Sequence, residues 1–392
     1  MVPQARTQCA GIPDDEDLMM NTIATAASEP GMQLDQDRPA PRLLGLAERG
    51  LLPDVLIRAG IRRLCAQRLA AEQSGGPEAQ AARFQERIEA LRSSPLAVHT
   101  DAANAQHYEL PPEFFRECLG PRLKYSCCYY PQGDESLEVA EQAMLALYAE
   151  RAGLADGQDI LELGCGWGSL TLWMAARYPE ARITAVSNSR GQREYIEAQC
   201  RARGYRNVRV ITRDVNVLEL DGAQYDRCVS VEMFEHVRNY EVLLRRIAGW
   251  LKPDGKLFVH IFVHRTVMYP FETEGGDNWM GRHFFTGGQM PAADTLFCFQ
   301  QDLRLAKRWL VDGSHYQRTA NHWLDRQDAR REEVMTVLRS AYGAQASLWF
   351  QRWRMFWMAC AELFGYAGGS EWMVAHYLFD RQDGTVERRA MA

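Results

Sequence analysis

The chain has 392 residues, 46% hydrophobic and 24% charged, with 45 Lys and Arg against 51 Asp and Glu for a formal charge of −6. That balance leaves no global positive field to hold nucleic acid or an anionic membrane, and the length suggests two or three structural units around a sizeable core. Every apolar run is broken by charges well short of the roughly 20 residues a bilayer span needs, so no transmembrane segment is expected.

The N-terminal stretch "GIPDDEDLMM" is acidic where a secretory signal would be apolar, which favours a cytoplasmic location. Ten cysteines are scattered without a CxxC pair, and the adjacent Cys127 and Cys128 have the wrong spacing for zinc. They read as reduced thiols, and no metal site is expected.

Residues 1–40 mix Pro, Asp, Gln and Ser without an apolar period, the composition of a disordered or loosely attached arm. A helical region over 41–120 follows. "LLGLAERGLLPDVLIRAGIRRLCAQRLAAEQ" puts Leu and Ile at helical spacing with Arg on the other face, Pro53 suits a second helix start, and "AQAARFQERIEALRSS" gives a further amphipathic helix. A basic amphipathic helix serves either a membrane surface or its own domain, and packing on the domain is the commoner outcome.

From Leu154 to Val263 strand and helix patterns alternate. "DILELG", "RITAVSN", "VRVITRD", "YDRCVSVEMF" and "GKLFVHIF" read as strands, and "SLTLWMAARYP", "RGQREYIEAQCRARG" and "YEVLLRRIAGWL" as helices. Such alternation predicts right-handed βαβ crossovers, an α/β fold with a mostly parallel sheet, and ligands at the carboxyl ends of the strands. The core is expected over 121–266. Residues 267–392 read as substrate-pocket helices rich in Trp and Phe, with a closing strand at "WMVAHYLF".

Gly164, Gly166 and Gly168 follow the first strand, and the next helix opens at Ser169. Glycines there let the backbone turn sharply and bring N–H groups to a ligand beside a positive helix end, although a tight turn alone has the same pattern. A dinucleotide site needs an acid after the second strand; here Ser187 and Asn188 stand there, which disfavours one. Asp214 ends the third strand, placed to accept from an exocyclic amine, and Glu232, Glu235 and His236 cluster after the fourth.

The segment "LELGCGWG" resembles the S-adenosylmethionine motif of class I methyltransferases, and "KYSCCYY", "SVEMFEHV" and "DNWMGRHFF" narrow the likeness. The chain resembles the cyclopropane fatty acid synthase superfamily, and within it the coclaurine N-methyltransferase branch, from about Leu43 to Arg381. The resemblance implies a Rossmann-like class I methyltransferase fold with a seven-stranded sheet, N-terminal helices and a helical insertion covering the substrate pocket. It implies S-adenosyl-L-methionine as cofactor, with S-adenosyl-L-homocysteine as product.

Residue by residue, the resemblance assigns Tyr125 and Ser126 to the methionine end of the cofactor, Gly164 and Gly166 to its backbone, Asn188 and Gln192 to the ribose, and Asp214 and Val215 to the adenine. Glu109 and Glu235 would attract and orient a cationic amine while His236 takes its proton, with Glu232 on the opposite side near the cofactor. Tyr108, Trp279, Phe285 and Trp323 are the expected pocket side chains; Phe284, Tyr366 and Trp372 read as core.

Two substrate classes follow from the resemblance: a small aromatic amine, or an unsaturated lipid receiving a methylene. The lipid enzymes use bicarbonate to remove a proton after alkene attack. Its ligands would map to Cys127, Glu235, a histidine near His260 and a tyrosine following Trp323, where this chain has Leu324. That departure favours the amine. A noncatalytic binding module is the third reading, against which stand the intact Gly164, Gly166, Asp214, Glu235 and His236. The expected partners are the small molecule and no nucleic acid, with a homodimer left open.

Overall fold

The computed structural model describes residues 42–97, 110–273 and 278–382. The expected N-terminal arm, and with it Tyr108 and Glu109 of the expected site, lie outside the described residues.

The chain opens with α1 (Arg42–Glu48), α2 (Asp54–Glu72) and α3 (Gly76–Ser93), followed by α4 (Pro112–Cys118) and α5 (Leu137–Ala152). Strands and helices then alternate: β1 (Asp159–Leu163), α6 (Ser169–Arg177), β2 (Arg182–Ser187), α7 (Arg190–Arg203), β3 (Val208–Thr212), β4 (Tyr225–Val231), α8 (Tyr240–Trp250) and β5 (Leu251–His264). A short pair, β6 (Tyr269–Pro270) and β7 (Gln289–Met290), brackets α9 (Trp279–His283). After β8 (Leu303–Val311) come α10 (Gly313–Ala329), α11 (Arg331–Tyr342) and α12 (Ala346–Phe364), and β9 (Trp372–Arg381) closes the sheet.

The seven-stranded sheet runs β3-β2-β1-β4-β5-β9-β8. Its first five strands are parallel, and β9 is antiparallel to both β5 and β8. Parallel strands are covered on both faces by their crossover helices, which is why they read as short apolar runs. The strand order reverses between β1 and β4, so the loops leaving those two strands part and open a crevice at their carboxyl ends. The glycine turn and the Glu232–His236 segment are those two loops.

Closing strands of the core are expected beyond residue 267, but the segment of β8 itself reads as insertion. It carries Arg304, Lys307 and Arg308, and most of its residues are at least partly exposed. A basic edge strand resists pairing with other chains and leaves only a weak apolar alternation to find.

The basic face of α2 is spent on its own domain rather than on a membrane. Arg58 and Arg62 reach Glu362 of α12 at 2.8 and 2.6 Å, and Arg354 of α12 holds Asp54 at 2.6 Å. Past α3, the Leu96 carbonyl accepts from Arg238 N at 2.9 Å, so the N-terminal helices clamp the loop after β4. Trp323, Trp353 and Trp357 are fully buried where α10 and α12 meet. Among the described residues, no helix is long and apolar enough to cross a membrane.

Candidate active site

Gly164, Gly166 and Gly168 all adopt positive φ, at 78°, 52° and 78°. A Cβ at Gly164 would stand 2.7 Å from the Met233 side chain, and one at Gly168 2.6 Å from Ile196, so neither position admits a larger residue. The turn runs directly into α6, whose first N–H groups have no helical partner. A pocket beside the turn is lined by Gly164, Gly166, Ser187, Asn188, Gln192, Arg213, Val215, Glu232, Met233 and His236, with Ala97 closing it from the N-terminal side.

Gln192 is buried, and its Oε1 accepts from Ser187 Oγ at 2.6 Å while its Nε2 has no hydrogen-bond partner among the described residues. A buried amide donor left unmade is costly unless a ligand takes it. Asp214 is not among the lining residues: its Oδ1 accepts from Asn216 N at 2.7 Å and caps the short turn over Val215–Val217. Asn216 in turn accepts from Ala97 N at 3.0 Å, tying this turn to the N-terminal segment. Arg213 and Ala97 had no signal in the sequence beyond their position next to recognisable elements.

Glu232, the first residue after β4, has φ +46°, a strained conformation for a residue with a side chain, and its N–H donates to His260 O at 2.9 Å. That backbone aims the carboxylate at three donors. Oε1 accepts from Cys127 N at 3.1 Å and from His260 Nε2 at 3.0 Å, and Oε2 accepts from Tyr316 Oη at 2.6 Å. The expected tyrosine after Trp323 is replaced by Leu324, which is buried; the hydroxyl comes from Tyr316, eight residues earlier on α10. Glu232 and His236 both line the pocket beside the glycine turn.

Glu235 is buried and its Oε2 has no partner among the described residues. Burial, and then the neighbouring Glu232 charge, push its carboxyl well above the usual range. Burial also raises Glu232, but the hydrogen bond from Tyr316 and the charge of Lys124 oppose it. Two close carboxylates do not both ionise readily, so Glu232, with three donors, carries the charge and Glu235 stays neutral at pH 7. Burial pushes the imidazole of His236 down to about 4 against the pull of Glu232, so it is neutral as well. Its ring lies parallel to that of Phe285, with centroids 5.8 Å apart.

The other expected residues surround this centre at different depths. The ring of Tyr125 sits among Phe115, Trp323 and Trp357, at 5.4, 5.7 and 6.0 Å. The hydroxyl of Ser126 is held by the buried Lys124. Trp323 is fully buried and packs edge-on to Tyr316, one residue removed from the Glu232 carboxylate. Trp279 donates to Glu48 Oε1 at 2.9 Å, in a polar cluster with Arg352 that links α1, α9 and α12. Phe284 stacks on Phe356 at 4.3 Å, and Trp372 donates to Tyr269 Oη at 2.9 Å, both as core.

Comparison with known proteins matches residues 98–368 to the family described as mycolic acid cyclopropane synthetase. The chain is 38% identical over 345 residues to an (S)-coclaurine N-methyltransferase of Thalictrum flavum subsp. glaucum, covering 87% of this chain and 95% of that one. It is 30% identical over 223 residues to the cyclopropane-fatty-acyl-phospholipid synthase of Escherichia coli K12, about half of each chain. A crystal structure of coclaurine N-methyltransferase bound to N-methylheliamine and SAH superposes with a TM-score of 0.84 at 39% identity, over 86% of this chain and 99% of that one. The cyclopropane synthase MmaA2 of Mycobacterium tuberculosis shares the fold, with a TM-score of 0.61 at 23% identity over 74% of this chain and all of that one.

Proposed function

Because the chain belongs to the mycolic acid cyclopropane synthetase family and is an S-adenosylmethionine-dependent methyltransferase, we propose that it N-methylates an amine of a small aromatic, tetrahydroisoquinoline-like molecule. The observation that carries this reading is the Glu232 carboxylate, on which Cys127 N, His260 Nε2 and Tyr316 Oη converge. The resemblance assigned the neighbourhood of Cys127 and His260 to a bicarbonate that serves alkene chemistry. Here a carboxylate of the chain occupies those donors, and a free anion added beside it meets like charge.

The residues beside the glycine turn fit the cofactor. The unmade donor of Gln192, the close approach of Gly164 to Met233 and the open space over Gly166 form a cradle that a side chain would fill. Gly164, Gly166, Asn188, Gln192 and Val215 would hold it. When bound, S-adenosylmethionine supplies a methyl group on a sulfonium, which an amine lone pair displaces in line.

The chain's own groups free that lone pair. The Glu232 anion draws a protonated amine into the pocket. Glu235, neutral in the free site, gives its proton to solvent as the ammonium arrives, because a cation beside a buried carboxyl reverses the cause of its raised pKa. His236, neutral at working pH, takes the proton, and the Phe285 ring holds the imidazole plane. Nine described cysteines are free thiols, consistent with a proposed reducing, cytosolic setting.

The test uses cofactor with a fully deuterated methyl, offered with a panel of tetrahydroisoquinolines and with unsaturated phospholipid vesicles. Amine methylation keeps all three deuteriums in the product by mass spectrometry. Cyclopropane formation loses one, and a lipid product with that loss would overturn the reading.

A further inference from the structure

We propose that Arg151, at the far end of a buried chain of hydrogen bonds from the pocket, is a positioning residue that fixes the tautomers of His376 and His260 and so holds Glu232 as an anionic acceptor. Four residues form the chain. Arg151 Nη1 lies 2.6 Å from His376 Nδ1, His376 Nε2 lies 2.8 Å from His260 Nδ1, and His260 Nε2 lies 3.0 Å from Glu232 Oε1.

The direction of every bond follows from its first member. A guanidinium has donors and no acceptor and keeps its charge, so it must donate to His376 Nδ1. The proton of a neutral His376 is then on Nε2 and is donated to His260 Nδ1. That leaves His260 with its proton on Nε2, aimed at Glu232. Both rings are fully buried, and burial holds each well below the usual histidine range, so one proton per ring is all they carry. Without Arg151 the same rings can also run the other way, with Glu232 protonated and donating to a lone pair on His260 Nε2.

The surroundings reinforce the polarity. Lys124 lies over the Tyr148 ring and donates to Tyr148 Oη at 2.9 Å and to Cys127 O at 2.7 Å, adding positive charge behind Glu232. Tyr148 stands edge-on to His260 and tilted to His376, at 5.2 and 5.5 Å, and Phe258 packs on His376 at 5.1 Å. Arg151 itself is half-buried over the ring of Trp309, at 5.1 Å. On the pocket side the titratable neighbours of Glu232 are Glu235, His236, Tyr316, Cys127 and Cys360.

A chain in which every member donates toward Glu232 is closed as an exit. A proton arriving at Glu232 meets an N–H on His260, and at the other end Arg151 accepts nothing. The proton released by the amine therefore leaves through His236 and Glu235.

The kinetic half of the test rests on the proposed amine chemistry; the tautomer half does not. Nitrogen-15 spectra of the full chain labelled at histidine, bound to S-adenosylhomocysteine, are assigned with His260→Gln and His376→Gln. Both rings are expected protonated on Nε2 and unprotonated on Nδ1 from pH 6 to 9. In Arg151→Met the fixed tautomers are expected to be lost and kcat to fall about tenfold, with S-adenosylhomocysteine affinity kept, and Arg151→Lys restores both. An Nδ1 proton on either ring of the unsubstituted protein overturns the proposal, as does an Arg151→Met enzyme with unchanged tautomers and kcat. Should Arg151→Met fail to fold, the unsubstituted protein decides; should no amine be methylated, the function proposed above fails and the tautomers still decide this inference.

Discussion

The imidazole of His236 and the ring of Phe285 lie parallel, with 2° between their planes and 5.8 Å between centroids. One belongs to the turn after β4 and the other to the segment between β5 and β8, so this contact joins the loop at the carboxyl edge of the parallel strands to the part of the chain that follows β5. An apolar ring against one face of the imidazole also contributes to the burial that lowers His236 to about 4.

His236→Ala is expected to lower kcat by roughly 10²- to 10⁴-fold, the range for loss of a general base, and to leave S-adenosylhomocysteine affinity unchanged. Phe285→Ala exposes the imidazole and raises its pKa toward the ordinary 6.5. The base form then begins to be lost at higher pH, so the acid limb of kcat moves up. Steady-state kinetics across pH with calorimetric cofactor binding check both, and full turnover in His236→Ala removes that residue from the mechanism.

Gly164 and Gly166 separate folding from binding. Both have positive φ, but a Cβ at Gly164 strikes Met233, whereas one at Gly166 meets nothing within 4 Å among the described residues beyond its chain neighbours. Gly164→Ala is expected to lower the melting temperature markedly. Gly166→Ala costs only its backbone strain, on the order of 1 kcal/mol, and puts a methyl group where the cofactor would pass. Thermal melts with and without S-adenosylhomocysteine distinguish them: a Gly166→Ala protein that keeps full ligand-induced stabilisation would contradict the cradle.

What the sequence makes legible here is local. Parallel strands are short apolar runs, the turn after β1 spells itself in glycines, and Glu232, Glu235 and His236 are within five residues of each other. The centre of the site is not local. Cys127, His260, Tyr316, His376 and Arg151 come from five separate stretches, and only packing brings them to one carboxylate. Cys127 contributes its backbone N–H, which no residue identity reports. The available hints were His260 and His376, polar residues inside the apolar strands "GKLFVHIF" and "WMVAHYLF", and the resemblance that pointed to Cys127 and a histidine near His260.

Glu162, on β1, is buried and bonded to Thr171 Oγ1 at 2.5 Å; burial raises its carboxyl to about 8 from the ordinary 4.5. A folded-state value above the unfolded one stabilises fully below the unfolded value and is lost as pH rises through the folded one. The native protein therefore loses stability between about pH 4.5 and 8, on the order of 4 kcal/mol at full deprotonation. Glu162→Gln keeps the acceptor for Thr171 and has nothing to titrate. Its melting temperature is expected to match the parent at pH 5 and exceed it at pH 9. An equal gap at both values would show that Glu162 does not titrate in that window.

Glu232→Gly tests the carboxylate and its donors together. Glycine adopts φ +46° without the strain a side chain brings, so the backbone loses roughly 1–3 kcal/mol of cost. Cys127 N, His260 Nε2 and Tyr316 Oη then surround a space the size of a carboxylate with no acceptor in it. Turnover of an amine is expected to fall about a hundredfold, because buried donors are left unmade and the anion that attracts the ammonium is gone. Added formate, which carries the missing group as a free anion, is expected to restore part of the rate in a saturable manner. Tyr316→Phe in the same background removes one donor and weakens that rescue. A folded Glu232→Gly enzyme that runs at the parent rate without formate, or gains nothing from it at saturation, would mean that this carboxylate does not support the reaction.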